Sequence, residues 1–381
     1  MSHYPAAPRS LLLPLVILPL LASCSSDEPA PVSQEAAQTL LVYAVASNNL
    51  YPNFHADTTE MQAAARHIDI DRFPIMLYCV TPDGDPELKR MVKRPDGSCC
   101  FVTVRTYDRS IFSTDPRRMK AVIADMEVAA PAERYGLVCW SHATGWSPNF
   151  SGHQVPGMDK SFGQDKYNGT SDYLDIDELA DAIPDRMFEY IWFDCCYMGA
   201  VEVAYQLKDK CRYLIAYPTE IMNAGNCYNT TLQYVLRDAP DYVEAARTLF
   251  KSYDDFSVPV SVGVFDLSGI DALADATRAI YAAGEAPEAS ALQNYGRRLN
   301  GPYYDFGQYT LCYTADEALK SRFTEALDAM TLYKAVSSKD FNGFPFDTEV
   351  YSGLSCHYLD PEVISPAEDY YRTLDWYKRV Y

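Results

Sequence analysis

The chain has 381 residues, 48% hydrophobic and 22% charged, a balance that suits one or two cored domains and excludes an intrinsically disordered chain. A formal net charge of −20 argues against nucleic acid as a partner, because such binding needs a basic face. The acidity serves solubility or draws cationic peptide segments to the surface.

The first segment reads as a targeting signal. Arg9 precedes the apolar run Leu11–Ala22, which is too short and proline-rich to span a bilayer and matches the core of a signal peptide. Leu21-Ala22-Ser23-Cys24 resembles the bacterial lipobox, in which the cysteine is lipidated and becomes the new N-terminus. Residues 1–23 are then the signal peptide. The acidic Asp27 and Glu28 that follow resemble a surface-export signal of bacterial lipoproteins. Residues 24–38, rich in Pro, Ala and small polar groups, read as a flexible tether. The expectation is a protein on the outer membrane or cell surface, held to the membrane by a lipid on Cys24.

Beyond the tether, strands and helices alternate. Apolar strand candidates are Leu40–Ala46, Pro74–Val80, Tyr135–Ser141, Phe188–Phe193, Tyr213–Tyr217 and Val258–Phe265. Helical patterns fall near Thr58–Ile68, after Thr114-Asp115-Pro116, and over Asp175–Ile183 and Met198–Leu207. Uninterrupted apolar strands separated by helices predict an α/β fold, a mostly parallel sheet covered on both faces. Pro95-Asp96-Gly97 between two strand-like runs predicts a hairpin inserted over Leu88–Thr106. From residue 268 the pattern turns helical, over Asp271–Ala282, Glu288–Arg298 and Glu317–Ala335, with a last strand at Tyr351–Leu359. The reading is a main domain over 39–267 and a largely helical subdomain over 268–381 packed on it.

Of the eleven cysteines, ten lie beyond the signal segment, with adjacent pairs at Cys99-Cys100 and Cys195-Cys196. There is no CxxC and no Cys/His spacing suited to zinc, so no metal site is expected. Cys79 and Cys139 sit in apolar runs and read as small core side chains. Disulfides are compatible with an extracellular location, but the spacing pairs none of them.

Reactive groups concentrate at two strand ends. In open parallel sheets ligands bind beyond the carboxyl ends of the strands. Tyr135–Ser141 delivers His142, and Phe188–Phe193 delivers Asp194, Cys195 and Cys196. On neighbouring strands, an imidazole can take the proton of a thiol, and a following helix can stabilise the thiolate. The N–H groups of Ala143 and Cys196 are candidates for an oxyanion hole. By spacing alone, a cysteine at a strand end is more often packing.

The segments that carry these residues resemble a known family. WSHATGW resembles the histidine motif of the clostripain-like cysteine peptidases, and FDCCYMGAVEVAYQL resembles their cysteine motif, F-D-A-C-L-M followed by a helix carrying Glu. LLVYAVASNNL resembles their opening strand with its following Asn, and YSGLSCHYL a late strand. The resemblance runs from about residue 40 to the end. It implies a caspase-like fold, protein or peptide substrates, and a Cys–His dyad with no third acid. Matching Met198 to the motif Met makes Cys196 the nucleophile, with His142 as its base. Asp194 matches an acid at the floor of the S1 pocket, which receives an Arg or Lys side chain; its other reading is a cap for the next helix.

Three positions depart from the pattern. Ala143 replaces Gly, which would be strained if the site needs φ > 0. Tyr197 replaces Leu. A second S1 acid is expected after Ala216–Glu220, where Asn226 and Asn229 carry no charge. Relatives of this kind self-process after the histidine motif. Here Lys160 and Lys166 are the candidate cleavage points, or else two solvated lysines. No cofactor is required. Calcium is an optional effector to which Asp172, Asp175 and Asp177 are candidate ligands, without EF-hand spacing. The expectation is an endopeptidase cutting after Arg or Lys; the alternative is a non-catalytic surface lipoprotein that binds peptides or a surface partner on the same fold. A thiol–disulfide exchange role for Cys195-Cys196 is disfavoured, because adjacent cysteines bond only with strain.

Overall fold

The computed structural model describes residues 35–148, 161–296, 303–340, 343–359 and 363–381. In chain order the elements are β1 (Thr39–Val45), α1 (Tyr51–Ala65), β2 (Ile75–Val80), β3 (Glu87–Lys93), β4 (Cys99–Thr106), α2 (Pro116–Ala129), β5 (Tyr135–Trp140), β6 (Phe162–Tyr167), β7 (Thr170–Leu174), α3 (Ile176–Ala182), β8 (Phe188–Asp194), α4 (Val201–Gln206) and β9 (Cys211–Ala216). They continue with α5 (Tyr228–Val235), α6 (Tyr242–Asp255), β10 (Ser261–Asp266), α7 (Ile270–Ala283), β11 (Tyr303–Asp305), α8 (Phe306–Leu311), α9 (Glu317–Met330), β12 (Thr331–Val336), β13 (Ser355–His357), α10 (Pro366–Tyr371) and α11 (Asp375–Val380).

Nine strands form one mixed sheet in the order β12-β10-β9-β8-β5-β1-β2-β3-β4. The central pairs β9-β8, β8-β5, β5-β1 and β1-β2 are parallel, and the pairs outside them are antiparallel. This is the caspase-like α/β architecture expected. All seven residues of β1 are buried, which requires cover on both faces. Alternation divides the strand: Leu41, Tyr43 and Val45 pack with Val122, Leu179 and Val201, while Leu40, Val42 and Ala44 pack with Met61, Leu232 and Leu249. Residues 35–381 form one compact unit, and β12 from the C-terminal region joins the main sheet beside β10.

Several local expectations are corrected. Helix α4 begins at Val201 rather than near Met198, because Tyr197 takes a left-handed conformation (φ 61) and the chain reaches α4 through an extended Ala200. Glu288–Arg298 is not a helix in its described part. Only Ala289–Ala291 make a short turn, and the backbone of Gln293 and Tyr295 then bonds Asp305 and Tyr303. Helix α9 stops at Met330, and Thr331–Val336 is an edge strand on β10. The late strand shrinks to Ser355–His357, after Gly353 at φ 92. Part of the polar stretch after His142 is a hairpin, β6–β7, turned by Asn168-Gly169 with both residues at positive φ.

Candidate active site

His142 follows β5 directly, and its surroundings are fixed by backbone and buried polar contacts. Gly163 N donates to the His142 carbonyl (2.9 Å), and Thr144 N donates to Ser161 O (3.1 Å). The Ser141 hydroxyl donates to Val45 O (2.8 Å), and the Asn48 amide donates to Val45 O and Gln164 O, both at 2.9 Å. The imidazole Nε2 lies 2.9 Å from the Asn49 Oδ1. An amide oxygen only accepts, so in this contact Nε2 is the donor. Ala143 is outside the left-handed region; the positive φ of this loop falls on Gly145 (φ 67). The substitution at 143 therefore carries no backbone strain. Its N–H has no acceptor among the described residues, since its neighbours alone bridge to β6.

The two adjacent cysteines have different surroundings. Cys195 is 1% exposed, its thiol donates to Cys139 O (3.0 Å), and burial pushes its pKa well up. Cys196 is half-buried, lies 3.7 Å from the Ile221 carbonyl, and lines a cavity of about 400 Å³ together with His142, Trp140 and Asp194. After it, Tyr197 N donates to Thr219 O (3.0 Å), and its ring stacks on Tyr303 (4.7 Å between centroids, 20° between planes). The Tyr303 hydroxyl in turn donates to Thr144 O. Gly145 packs directly on the Tyr197 carbonyl: a Cβ at 145 would lie 2.7 Å from that oxygen. The loop after His142 and the loop after Cys196 thus meet backbone to backbone.

Asp194 is buried and accepts from Asn226 N (3.1 and 3.0 Å) and the Tyr228 hydroxyl (2.7 Å). Burial raises its pKa, with these hydrogen bonds opposing. The capping alternative fails, because the N-cap of α4 is Ala200. Neither asparagine of the 226–229 loop adds a charge. Asn226 accepts from Tyr217 OH, while Asn229 is exposed with its N–H 3.5 Å from Glu60 Oε2. Glu202, the acid of the cysteine-motif helix, is buried, and its Oε1 accepts from His357 N (2.8 Å) and Tyr371 OH (3.2 Å).

Other sequence candidates are dispersed. Lys166 is exposed on β6 and away from the cavity lining; Lys160 and Cys24 lie outside the described residues. Asp172 accepts from Thr114 (2.6 Å), Asp175 from Ser161 (2.5 Å) and Asp177 from Tyr370 (2.8 Å). Among the described residues no group of three or more His, Cys, Asp or Glu side chains is arranged for a metal ion, and no helix is long and apolar enough to cross a membrane. Sequence reading missed Asp57, whose carboxylate accepts from Trp140 Nε1 (2.7 Å), and the buried Arg109–Asp165 pair (2.5 Å) that fastens the β6–β7 hairpin. Only the Asn168-Gly169 turn signal could have pointed to that hairpin in advance.

Comparison with known proteins places this geometry. The family model described as the clostripain family matches residues 42–336. A secreted C11 cysteine protease from Bacteroides thetaiotaomicron, in complex with an irreversible peptide inhibitor, is 26% identical with a TM-score of 0.78, over 91% of this chain and 99% of that one. An inactive zymogen C11 protease from Parabacteroides distasonis is 25% identical with a TM-score of 0.80, also over 91% and 99%. A clostripain from Bacteroides thetaiotaomicron, in complex with the peptide inhibitor BTN-VLTK-AOMK, is 28% identical with a TM-score of 0.50, over 56% of this chain and 97% of that one. No curated protein matches at a comparable level of significance. The family match starts within β1, covers the other eight strands of the nine-stranded sheet and takes in both motif loops, so the chain belongs to the clostripain family of cysteine peptidases.

Proposed function

We propose that the protein is an endopeptidase that cleaves after Arg, or Lys, with Cys196 as nucleophile and His142 as general base. The observation that carries this is one cavity lined by His142, the half-buried Cys196 and the buried Asp194. In this reading Nδ1 of His142 takes the proton of the Cys196 thiol, and the thiolate attacks the scissile carbonyl carbon. The N–H groups of Ala143 and Cys196 hold the resulting oxyanion. The imidazolium then protonates the leaving amine, and a water deprotonated by His142 hydrolyses the thioester. Asn49 keeps the imidazole turned for both transfers. Asp194 receives the cationic P1 side chain, in line with a relative whose peptide inhibitor carries the sequence VLTK. No step calls for a cofactor, and calcium stays an optional effector.

The test uses purified protein and fluorogenic peptides ending in Arg, Lys or norleucine, beside a Cys196→Ala variant. The expected result is turnover of the Arg and Lys peptides, lost in the variant. Absence of turnover by the wild type, with and without prior proteolytic processing, would leave peptide binding without catalysis as the function. Labelling of Cys195 instead of Cys196 by a thiol-reactive peptide would overturn the assignment. Self-processing is proposed at Lys160 rather than Lys166, whose backbone is held by Ser47 and Arg109. We further read residues 1–23 as the signal peptide, Cys24 as the lipidated residue, 24–38 as the tether and 39–267 and 268–381 as peptidase domain and packed subdomain. Metabolic labelling with a palmitate analogue, lost in Cys24→Ala, tests the anchor.

A further inference from the structure

The cavity has a second carboxyl behind its wall. This inference rests on the reading of the cavity as the P1 site. Trp140 and Asp194 are register partners on β5 and β8, so their side chains leave the same face of the sheet, and both line the cavity. Helix α1 covers that face. Its Asp57 is 3% exposed and accepts from the Trp140 indole through Oδ2; no other donor among the described residues reaches it. Glu60 follows one turn later and faces the backbone of Asn229. Among the described residues no Lys, Arg or His forms an ion pair with Asp57, Glu60 or Asp194.

Buried carboxyls without a cation are costly, and two of them beside one indole also repel. Burial raises the pKa of both Asp57 and Asp194; the Asp194 charge adds to the burden on Asp57, and the Glu60 charge to the burden on Asp194. Of the titratable groups packed here, Tyr217, Tyr228, Tyr253 and Cys227 are driven upward by burial, so they stay neutral and offer no counter-charge; Glu220, a further carboxyl, and His142 line the cavity on its open side. An independent feature points to a ligand. Gly225 lines the cavity at φ +62, and a Cβ there would lie 2.7 Å from both Asp194 oxygens. The approach to the carboxylate is kept clear by the one residue without a side chain.

We propose that Asp57 is the second specificity carboxyl of this pocket, acting with Asp194 on the cationic P1 side chain. It replaces the charge that the loop at Asn226 and Asn229 lacks. Asp57, behind Trp140 and outside the cavity lining, adds its charge to that of Asp194 from a second direction, which suits the delocalised cation of a guanidinium better than the point charge of lysine's ammonium. Arg is therefore preferred over Lys. Entry of the cation also displaces the proton that the empty pair retains.

The experiment compares wild type, Asp57→Asn and Asp194→Asn on peptides that differ only in an Arg, Lys or norleucine P1 residue. Asn at 57 keeps an acceptor for the Trp140 indole and removes the charge; Asp57→Ser serves if Asn fails to fold. For Asp57→Asn the expected result is an Arg-to-Lys ratio in kcat/KM at least tenfold lower, with the norleucine peptide unchanged within twofold. Calorimetry of the Cys196→Ala protein with an Arg peptide, in buffers of different ionisation enthalpy near pH 6.5, reads the proton. Release is expected, and it diminishes in Cys196→Ala combined with Asp57→Asn. If Asp194→Asn loses the cationic preference while Asp57→Asn keeps the wild-type Arg-to-Lys ratio and proton release, the role of Asp57 is refuted and the P1 reading stands. If the wild type has no cationic preference, the P1 reading itself fails.

Discussion

Replacing Gly145 with Ala tests whether the two motif loops depend on their backbone contact. Gly145 holds φ 67, and an added Cβ would sit 2.7 Å from the Tyr197 carbonyl oxygen. The left-handed conformation costs a non-glycine residue about 1–2 kcal/mol. Relieving the contact requires a shift of roughly half an ångström. Tyr197 yields poorly, because it is itself left-handed, 1% exposed and stacked on Tyr303. A further 1–2 kcal/mol of strain is of the size that overpacking brings, for a total of about 2–4 kcal/mol. Urea denaturation should show a midpoint lower by about 1 M. Displacement of His142 relative to Cys196 should lower kcat by about 10–100-fold, with the Arg-to-Lys ratio unchanged, because Asp194 is not on this loop. Ala143→Gly is the control: it sits outside the left-handed region, so it should cost only about 0.5–1 kcal/mol and bring no gain in activity. A Gly145→Ala protein that unfolds at the wild-type urea concentration and keeps its kcat would refute the argument.

Two other predictions concern buried charge. Asp165 is fully buried and holds Arg109 (2.5 and 3.1 Å), Ser47 Oγ and Ser113 N (both 2.6 Å). Asp165→Ala leaves the Arg109 guanidinium buried without its partner and should destabilise by about 3–5 kcal/mol in urea titrations; a loss below 1 kcal/mol would mean that the pair does not fasten the hairpin. Burial pushes the Glu202 carboxyl up to about 7, against an ordinary value of 4.5. A folded pKa above the unfolded one gives stability that is complete below pH 4.5 and is lost as pH rises through 7. Glu202→Gln keeps an acceptor for His357 N and Tyr371 OH without that loss. It should exceed the wild type by about 3 kcal/mol at pH 8 and match it near pH 4, a divergence that urea midpoints at the two pH values read directly.

Much of the fold was legible because its central strands are short uninterrupted apolar runs separated by helical patterns, which together suit a doubly covered sheet. Asp115 before Pro116 is a local capping signal, and α2 starts where it predicts; α3 falls within the helical pattern over Asp175–Ile183. The errors arose where tertiary partners decide. Thr331–Val336 continues the helical pattern of α9 but is taken by the open edge of β10. Val201 starts α4 late because Tyr197 is turned by its contacts with Gly145 and Tyr303. The dyad candidates were legible from the two motifs. Asp57 was not, because it looks like any polar residue on a helix: its meaning comes from an indole more than eighty residues away in sequence.

The alternation of one strand explains how the proposed specificity carboxyl and the proposed nucleophile are kept apart. Along β8, Tyr190 and Trp192 face the side of α1, α5 and α6, whereas Ile191 and Phe193 face the other core. Asp194 continues the first set and Cys195 the second. Asp194 is thereby directed toward Asn226, Tyr228 and the helix that carries Asp57, and Cys195 is spent on packing beneath Cys139. Cys196 follows once the strand has ended, so it belongs to neither face and lies at the rim where both cores meet it. Moving the thiol one residue earlier would bury it; moving the carboxyl one residue later would carry it to the wrong side of the sheet. The order acid, packing residue, reachable thiol is thus the one that suits a pleated strand end if a buried carboxyl and an accessible thiol are to open into the same cavity.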